Sequence, residues 1–414
     1  MPSAPAASAV LSFEQARHLV EQHAAGLRPH GKELVELLEG AGQILAEPVA
    51  ADRNFPPFAR ATRDGYAVRS ADLARLPATL EIVGEIKAGA DVSLQVGPAQ
   101  AVSIMTGAAA PAGADAVVMV EYSSLHGKQV EISRAVKPGD NIVPAGSEAK
   151  RGERLLSPGM RMDHKAIAVA ASVGRARLLV YSKPKIAVLS TGDEIVDIDA
   201  QPSAKQIRNS NSYSLATQIQ AAGGEPILLP IAPDEPTRLR ELIADGFEAD
   251  LLLLTGGVSM GKYDLVEQVL AELQAEFFFT GVQIQPGRPV VFGRVPWSEN
   301  SGHKYFFGLP GNPVSTMVTF ELFARPMIEA LAGTAPQKLI FSRARLKSEV
   351  RIKTGLQRFL PAVLSGEFEQ AEVELVAWQG SGDIAATARA NCYLVIPPDR
   401  ENIPAGEWVP VLLK

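Results

Sequence analysis

Several short segments carry the residue types from which oxyanion and metal sites are built. STGDE (190–194) follows the apolar run KIAVL and sets the hydroxyls of Ser190 and Thr191, the flexible Gly192 and the carboxylates of Asp193 and Glu194 side by side. Two such acids suit Mg²⁺ held against a phosphate, and they equally suit a cap on the element that follows. IRNSNSYSLATQ (207–218) places Arg208 and a run of Asn and Ser at a helix start, where free N–H groups either attract anions or are simply capped. In LLLLTGGVSMGKYD (251–264), Gly256, Gly257 and Gly261 let backbone amides turn inward around an oxyanion. The spacing from Gly256 to Lys262 nearly matches a P-loop, but Tyr263 stands where the Mg²⁺-binding hydroxyl belongs. An NTP-hydrolysing loop is therefore disfavoured, an anion-cradling one is kept, and Ser259 and Asp264 become an anion donor and a metal ligand or helix cap.

GLPGNPVSTM (308–317) offers Asn312 as a cap, Pro313 at the favoured first helical position and Ser315 facing whatever the exposed amides bind. QIQPGRPVVFG (283–293) supplies Arg288, a fork of donors matched to a tetrahedral oxyanion. Two further pairs, Asp64–Gly65 and Thr106–Gly107, are ordinary turn formers when taken singly. The six histidines are scattered and carry no metal assignment, and no G-x-S-x-G elbow or cysteine–histidine signature accompanies a nucleophile.

The elements that hold these loops follow from periodicity. After Lys185, apolar strands (KIAVLS, PILLPI, ADLLLLTGG, KYFFGLPG) alternate with helical stretches, which predicts βαβ units around a parallel sheet covered on both faces. Ligands of such sheets bind beyond the carboxyl ends of the strands, where these loops lie. FEQARHLVEQHA and KELVELLEGAGQILA show helical spacing, and MDHKAIAVAASVG shows it again. Between them come short alternating runs separated by Pro and Gly, and from Pro336 onward the alternation returns. The expected division is a tail (1–11), a discontinuous helical linking domain (12–48 plus 147–182), an inserted β-rich domain (49–146), an α/β domain (183–334) and a C-terminal β domain (335–414).

Bulk properties narrow the function classes. Of 414 residues, 46% are hydrophobic and 21% charged, as in folded globular proteins. A formal charge of −6 argues against sequence-independent nucleic-acid binding. The single cysteine, Cys392, allows no intramolecular disulfide and fits a reducing cytoplasm. MPSAPAASAV reads as a frayed tail, not a secretory signal, and no run approaches the ~18 apolar residues of a membrane helix.

Taken jointly, RDGYAV, SIMTGAAAPAGADAVVMVE, VLSTGDEIV, IRNSNSY, LTGGVSMGKYD, QPGRPVVFG and GLPGNPVS resemble the molybdopterin molybdenumtransferase family, called MoeA in bacteria, to which the C-terminal domain of gephyrin belongs. The resemblance implies an elongated homodimer of four-domain subunits, each with an α/β domain similar to the molybdopterin adenylyltransferases. It implies Mg²⁺-dependent insertion of molybdate into adenylylated molybdopterin, giving molybdenum cofactor and AMP. Expected partners are a molybdopterin adenylyltransferase and the molybdoenzyme apoproteins or cofactor chaperones.

By motif, Asp64, Thr106, Glu194, Asp234 and Asp264 match the catalytic positions, with Asp193, Glu194 and Asp264 toward Mg²⁺. Ser190, Thr191, Gly192, Arg208, Gly256, Gly257, Ser259, Arg288, Pro310, Gly311, Asn312, Pro313 and Ser315 match the substrate and anion loops. Arg358 in LQRFLP and Ser381 in WQGSGD match further positions in the C-terminal domain. The chain departs from the KPGKP-like pattern of many relatives, with Gln285 removing one charge, Arg288 keeping the other and Lys262 a substitute cation. A non-catalytic gephyrin-like scaffold and a molybdopterin adenylyltransferase are the alternative readings.

Overall fold

The apolar runs after Lys185 form a six-stranded sheet in the computed structural model, which describes residues 10–90, 93–257, 265–297 and 302–413. Its order is Glu225–Leu228, Lys185–Ser190, Leu251–Thr255, His303–Leu309, Val291–Pro296 and Glu276–Phe279. Leu251–Thr255 is buried along its whole length, and its side chains alternate: Leu251 and Leu253 join one hydrophobic core, Leu252 and Leu254 the other. A strand covered on both faces has no polar position to spare, which explains the unbroken apolar run.

The sheet corrects the all-parallel expectation. The first four strands are parallel neighbours, whereas Val291–Pro296 pairs antiparallel on both sides. The Trp297 N–H donates to the Gly302 carbonyl at 3.1 Å, closing a connection too short for a crossover. Helices Asn211–Ala222, Pro236–Gly246 and Leu265–Glu272 fall where the 3.6-residue period places them. The helical stretch after Pro313 is instead three pieces, Pro313–Thr319, a π-helical turn Phe320–Ala324, and Arg325–Leu331. Pro326 has no N–H to continue a regular ladder there.

From Phe341 the chain builds a closed five-stranded barrel. Gln357–Ser365 pairs with Glu372–Leu375, which is followed by Phe341–Leu346, Trp408–Leu413 and Cys392–Ile396, and the last pairs back on Gln357–Ser365. Ala344, Leu346, Ala362, Val373, Leu394 and Val411 fill its interior with the buried Cys392. A sixth strand, Ile284–Gln285, lies parallel to the start of Gln357–Ser365 and comes from the loop before PGRP.

Two compact units divide the chain, one of Met1–Leu34, Gly42–Ala46 and Leu179–Lys414, the other of Val35–Ala41 and Glu47–Leu178. In the first, helix Phe13–Ala25 opens on a Ser12–Gln15 capping box and packs Ala16, Val20 and Ala24 into the α/β core. Its buried Arg17 donates to the Leu322 carbonyl at 2.6 Å and the Gln337 carbonyl at 3.1 Å. The helix expected in KELVELLEGAGQILA does not form. Lys32–Glu36 is a strand followed by turns, because Gly40 and a left-handed Gly42 (φ 78°) break the helical run. The freed amides are taken up elsewhere: Leu37 N–H donates to Ala176 and Ala46 N–H to Leu179, each at 2.8 Å.

The second unit holds a six-stranded sheet ordered Ala116–Met119, Gly65–Val68, Gln100–Ile104, Ala78–Ile86, Gln129–Ile132 and Ser123–His126, with a helix at His164–Ser172. Among the described residues no helix is long and apolar enough to cross a membrane.

Candidate functional site

Three neighbouring parallel strands deliver their following loops to one place. Thr191 N–H donates to the Thr255 carbonyl at 3.0 Å, continuing the pairing past the strand ends. Gly256 and Gly257 then turn with φ of 88° and 62°. A side chain at Gly256 would stand 2.4 Å from the Thr191 carbonyl oxygen, and one at Gly257 2.7 Å from Thr191 Oγ1. Only glycine satisfies both the dihedral and the spacing. Gly311 approaches from the third strand, a Cβ there lying 3.5 Å from the Gly256 Cα.

The helix-start segment is locked beneath these turns by buried polar side chains. Ser190 Oγ lies 2.9 Å from Ser212 Oγ and donates to Asn209 Oδ1 at 3.2 Å, while Asn209 Nδ2 donates to Ser212 Oγ at 3.0 Å. Asn211 Nδ2 bridges to Thr255 Oγ1 at 2.9 Å and to the Gly311 carbonyl at 2.8 Å, tying helix start, strand end and GLPGNP loop together. Thr191 Oγ1 and Asn211 Oδ1 have no hydrogen-bond partner among the described residues. Pro313 takes the first helical position, but Asn312 makes no side-chain cap; its carbonyl instead accepts from Thr316 N at 3.0 Å. Around these groups lies a cavity of about 680 Å³, lined by Ser190, Thr191, Glu194, Arg208, Asn211, Thr255, Gly256, Gly257, Pro289, Pro310, Gly311, Asn312 and Pro313 among others.

Glu194 brings a carboxylate into this cavity, and two more acids stand behind it. Asp193 Oδ1 accepts from Asp234 N–H at 3.1 Å, so the Asp193 carboxylate links the STGDE turn to the loop before helix Pro236–Gly246. Partial burial, then the negative charges of Asp193 and Glu194, push the Asp234 carboxyl above the usual carboxylate range. Among the described residues no three His, Cys, Asp or Glu side chains form a ready-made metal cage. Mg²⁺ asks for less, one or two carboxylates completed by water and substrate phosphates, and the mutual repulsion registered at Asp234 is what a cation there would relieve. Of the acids assigned to Mg²⁺, Glu194 lines the cavity, and Asp264, like Ser259, lies outside the described residues.

A second cavity, of about 540 Å³, adjoins the first and shares Pro289, Pro310 and Asn312 with it. Its other walls come from the PGRP loop, Ser315, and the barrel residues Lys353, Thr354, Arg358, Trp378 and Ser381. Arg288, Lys353 and Arg358 face it, and none of its lining residues is acidic. Arg358 is only 7% exposed, and its Nε has no hydrogen-bond partner among the described residues. Its Nη2 donates to the Lys353 carbonyl, and burial pulls its pKa down. A buried guanidinium N–H without an acceptor is a donor suited to an anion. The Val314 N–H donates to the Ser381 carbonyl at 3.0 Å, holding the WQGSGD loop against the helix that carries Ser315.

In the second unit, Asp64 Oδ1 accepts from Thr106 N–H at 2.6 Å and from Thr106 Oγ1 at 2.9 Å. Those two bonds hold the Asp64 carboxyl below its ordinary range and keep it charged.

Of the residues singled out in the sequence, Ser190, Thr191, Glu194, Arg208, Gly256, Gly257 and Pro310, Gly311, Asn312 and Pro313 line the first cavity, and Arg288, Ser315, Arg358 and Ser381 the second; Gly192 lies in the STGDE turn but not in the lining. The sequence pattern did not single out Asn209, Asn211, Lys353 or Trp378. The doubled Asn-Ser in RNSNSY was a usable signal for the first two, because buried amides recur where loops must be pinned. Lys353 and Trp378 carried none.

Three family profiles match successive stretches of the chain: "MoeA N-terminal region (domain I and II)" over residues 11–174, "Probable molybdopterin binding domain" over 187–330, and "MoeA C-terminal region (domain IV)" over 343–414. The chain is similar to the molybdopterin molybdenumtransferase of Nostoc sp., 34% identical over 391 residues covering 92% of this chain and 88% of that one. It is similar to that of Haemophilus influenzae, 34% identical over 410 residues covering 97% and 98%. Among solved structures, the molybdopterin biosynthesis moeA protein from Pyrococcus horikoshii OT3 superposes with a TM-score of 0.78 at 28% identity, covering 98% of this chain and all (100%) of that one.

Proposed function

The chain belongs to the molybdopterin molybdenumtransferase family of transferases in molybdenum cofactor biosynthesis, and on that premise we propose that it inserts molybdate into adenylylated molybdopterin with Mg²⁺, releasing AMP. The observation that carries this reading is the pair of adjoining cavities, one glycine-walled with the Glu194 carboxylate, the other cationic with no acid in its lining. A phosphate anhydride and a tetrahedral oxyanion are two anions of different shape, and the two cavities offer each a separate place.

In this reading the amides of Gly256, Gly257 and Gly311 seat the phosphates, and Ser190, Asn209 and Ser212 hold that loop geometry fixed. Asp193, Glu194 and, by its family motif, Asp264 would hold Mg²⁺, which would screen the anhydride charge. Asp234, whose carboxyl is held above the ordinary carboxylate range, accepts the proton of the attacking water. The water oxygen bonds to one phosphorus of the anhydride as its bridging P–O bond breaks and AMP leaves. Arg288, Arg358, Ser315 and Ser381 hold molybdate, orienting it toward the dithiol, whose two sulfurs bond to molybdenum as one oxo group leaves as water with the two thiol protons.

The family resemblance, not the geometry of this chain, supports a homodimer and assigns Asp64 and Thr106 to the same reaction. Retained turnover in a verified monomer would count against that part. The central test incubates purified protein with adenylylated molybdopterin, molybdate and Mg²⁺ and measures AMP. Release dependent on molybdate is expected, and its absence where a relative is active overturns the proposal.

A further inference from the structure

The glycine-walled cavity also has aliphatic lining, Ile195 and Ile207 from one two-stranded ribbon and Ile384 from another element. Ile195 and Ile207 are register partners in a two-stranded parallel ribbon, so their side chains stand next to each other on one face. Ile384 opens the short helix Ile384–Thr387 of the C-terminal part, positioned by the Asp383 side chain that accepts from Ala386 N at 2.9 Å. Ile207 is 59% exposed and Ile384 40% exposed. Single aliphatic side chains in water are common, but these two come from distant stretches of the chain and meet at one cavity, beside amides suited to phosphate.

We infer that Ile195, Ile207 and Ile384 form an aliphatic seat for a flat fused-ring heterocycle of the bound substrate, whose phosphate lies on the glycine turns. This rests on the proposed function and names which part of the substrate that lining reads. Aliphatic carbons against a ring face remove apolar surface from water on both partners without demanding a polar match. The ring is either the purine of the adenylate or the pterin, which share this chemistry.

The test titrates the full chain by calorimetry with AMP, 6-hydroxymethylpterin and ribose 5-phosphate. Ile207→Ser and Ile384→Ser are each expected to weaken one of the two ring ligands about tenfold, the effect of re-exposing some tens of Å² of apolar surface. Ribose 5-phosphate is expected to bind unchanged, and Ile207→Leu to restore the ring affinity. Loss confined to AMP assigns the seat to the purine; loss confined to 6-hydroxymethylpterin assigns it to the pterin. The inference is overturned if neither variant alters ring affinity, if ribose 5-phosphate weakens equally, or if the wild type binds neither ring ligand. The two variants lie on different elements, so misfolding of one leaves the other decisive. Absence of molybdate-dependent AMP release alongside intact ring effects would count against the proposed reaction and leave the seat standing.

Discussion

The two cavities are neighbours that recognise anions by opposite means. The first is walled by backbone, with left-handed glycines at 256 and 257 whose missing side chains let three strand ends converge. The second is walled by side chains, three cations set on a loop and a barrel. Backbone recognition is preorganised and hard to alter without breaking the fold, whereas side-chain recognition can be changed one charge at a time.

That contrast can be broken in several ways. The largest effect is expected for Gly257→Val, whose Cβ would meet Thr191 Oγ1 at 2.7 Å. AMP release should fall by more than about 100-fold, as displacements near 1 Å at a reacting centre do, while equilibrium dialysis still detects molybdate binding. Equal loss of both would mean that the cavities are not separate. Next, Arg358→Met should weaken molybdate binding about 10- to 100-fold, the range for one charge-assisted hydrogen-bond set, with AMP affinity unchanged in calorimetry.

A third variant probes stability. Asn209→Ala removes the buried amide that accepts from Ser190 Oγ and Ser212 N–H and donates to Ser212 Oγ, and should cost about 1–3 kcal/mol in urea unfolding. The second cavity has no counterpart to that buried lattice, so Ser381→Ala should cost far less.

The smallest effect is a pH dependence. Because the Asp234 carboxyl lies above the ordinary range, protons compete with a cation there at higher pH than at a normal carboxylate. As pH falls toward the carboxylate range, Mg²⁺ affinity should begin to drop at a higher pH than for an ordinary carboxylate, and Asp234→Asn should move that onset to lower pH. Molybdate affinity, resting on arginines, should stay level over the same interval.

The same contrast explains what was legible in the sequence. The first cavity is written in contiguous motifs, TGG, STGD and GLPGNP, because turn geometry is local and demands glycine and proline at fixed spacing. The fold of the α/β part was readable for the same reason, its buried strands being unbroken apolar runs. The second cavity assembles Arg288, Ser315, Lys353 and Trp378 from four stretches that only tertiary packing brings together. Arg358 and Ser381 were reachable through the family resemblance, not through their own neighbourhoods. KELVELLEGAGQILA misled because apolar spacing alone is blind to the glycines that stop a helix and the carbonyls waiting to take its amides.

The short strand Ile284–Gln285 joins the PGRP loop to the barrel, with the Gln357 N–H donating to the Gln283 carbonyl at 3.0 Å. Phe359, Tyr393, Val395 and Leu412 of the barrel lie in the same hydrophobic cluster as the α/β helices. Barrel and sheet thus have no seam along which one could open alone, and they should behave as a single foldon. Amide exchange at Gln285 and Gln357 would then report global unfolding, and a chain truncated before Phe341 would forfeit the α/β core as well as the barrel.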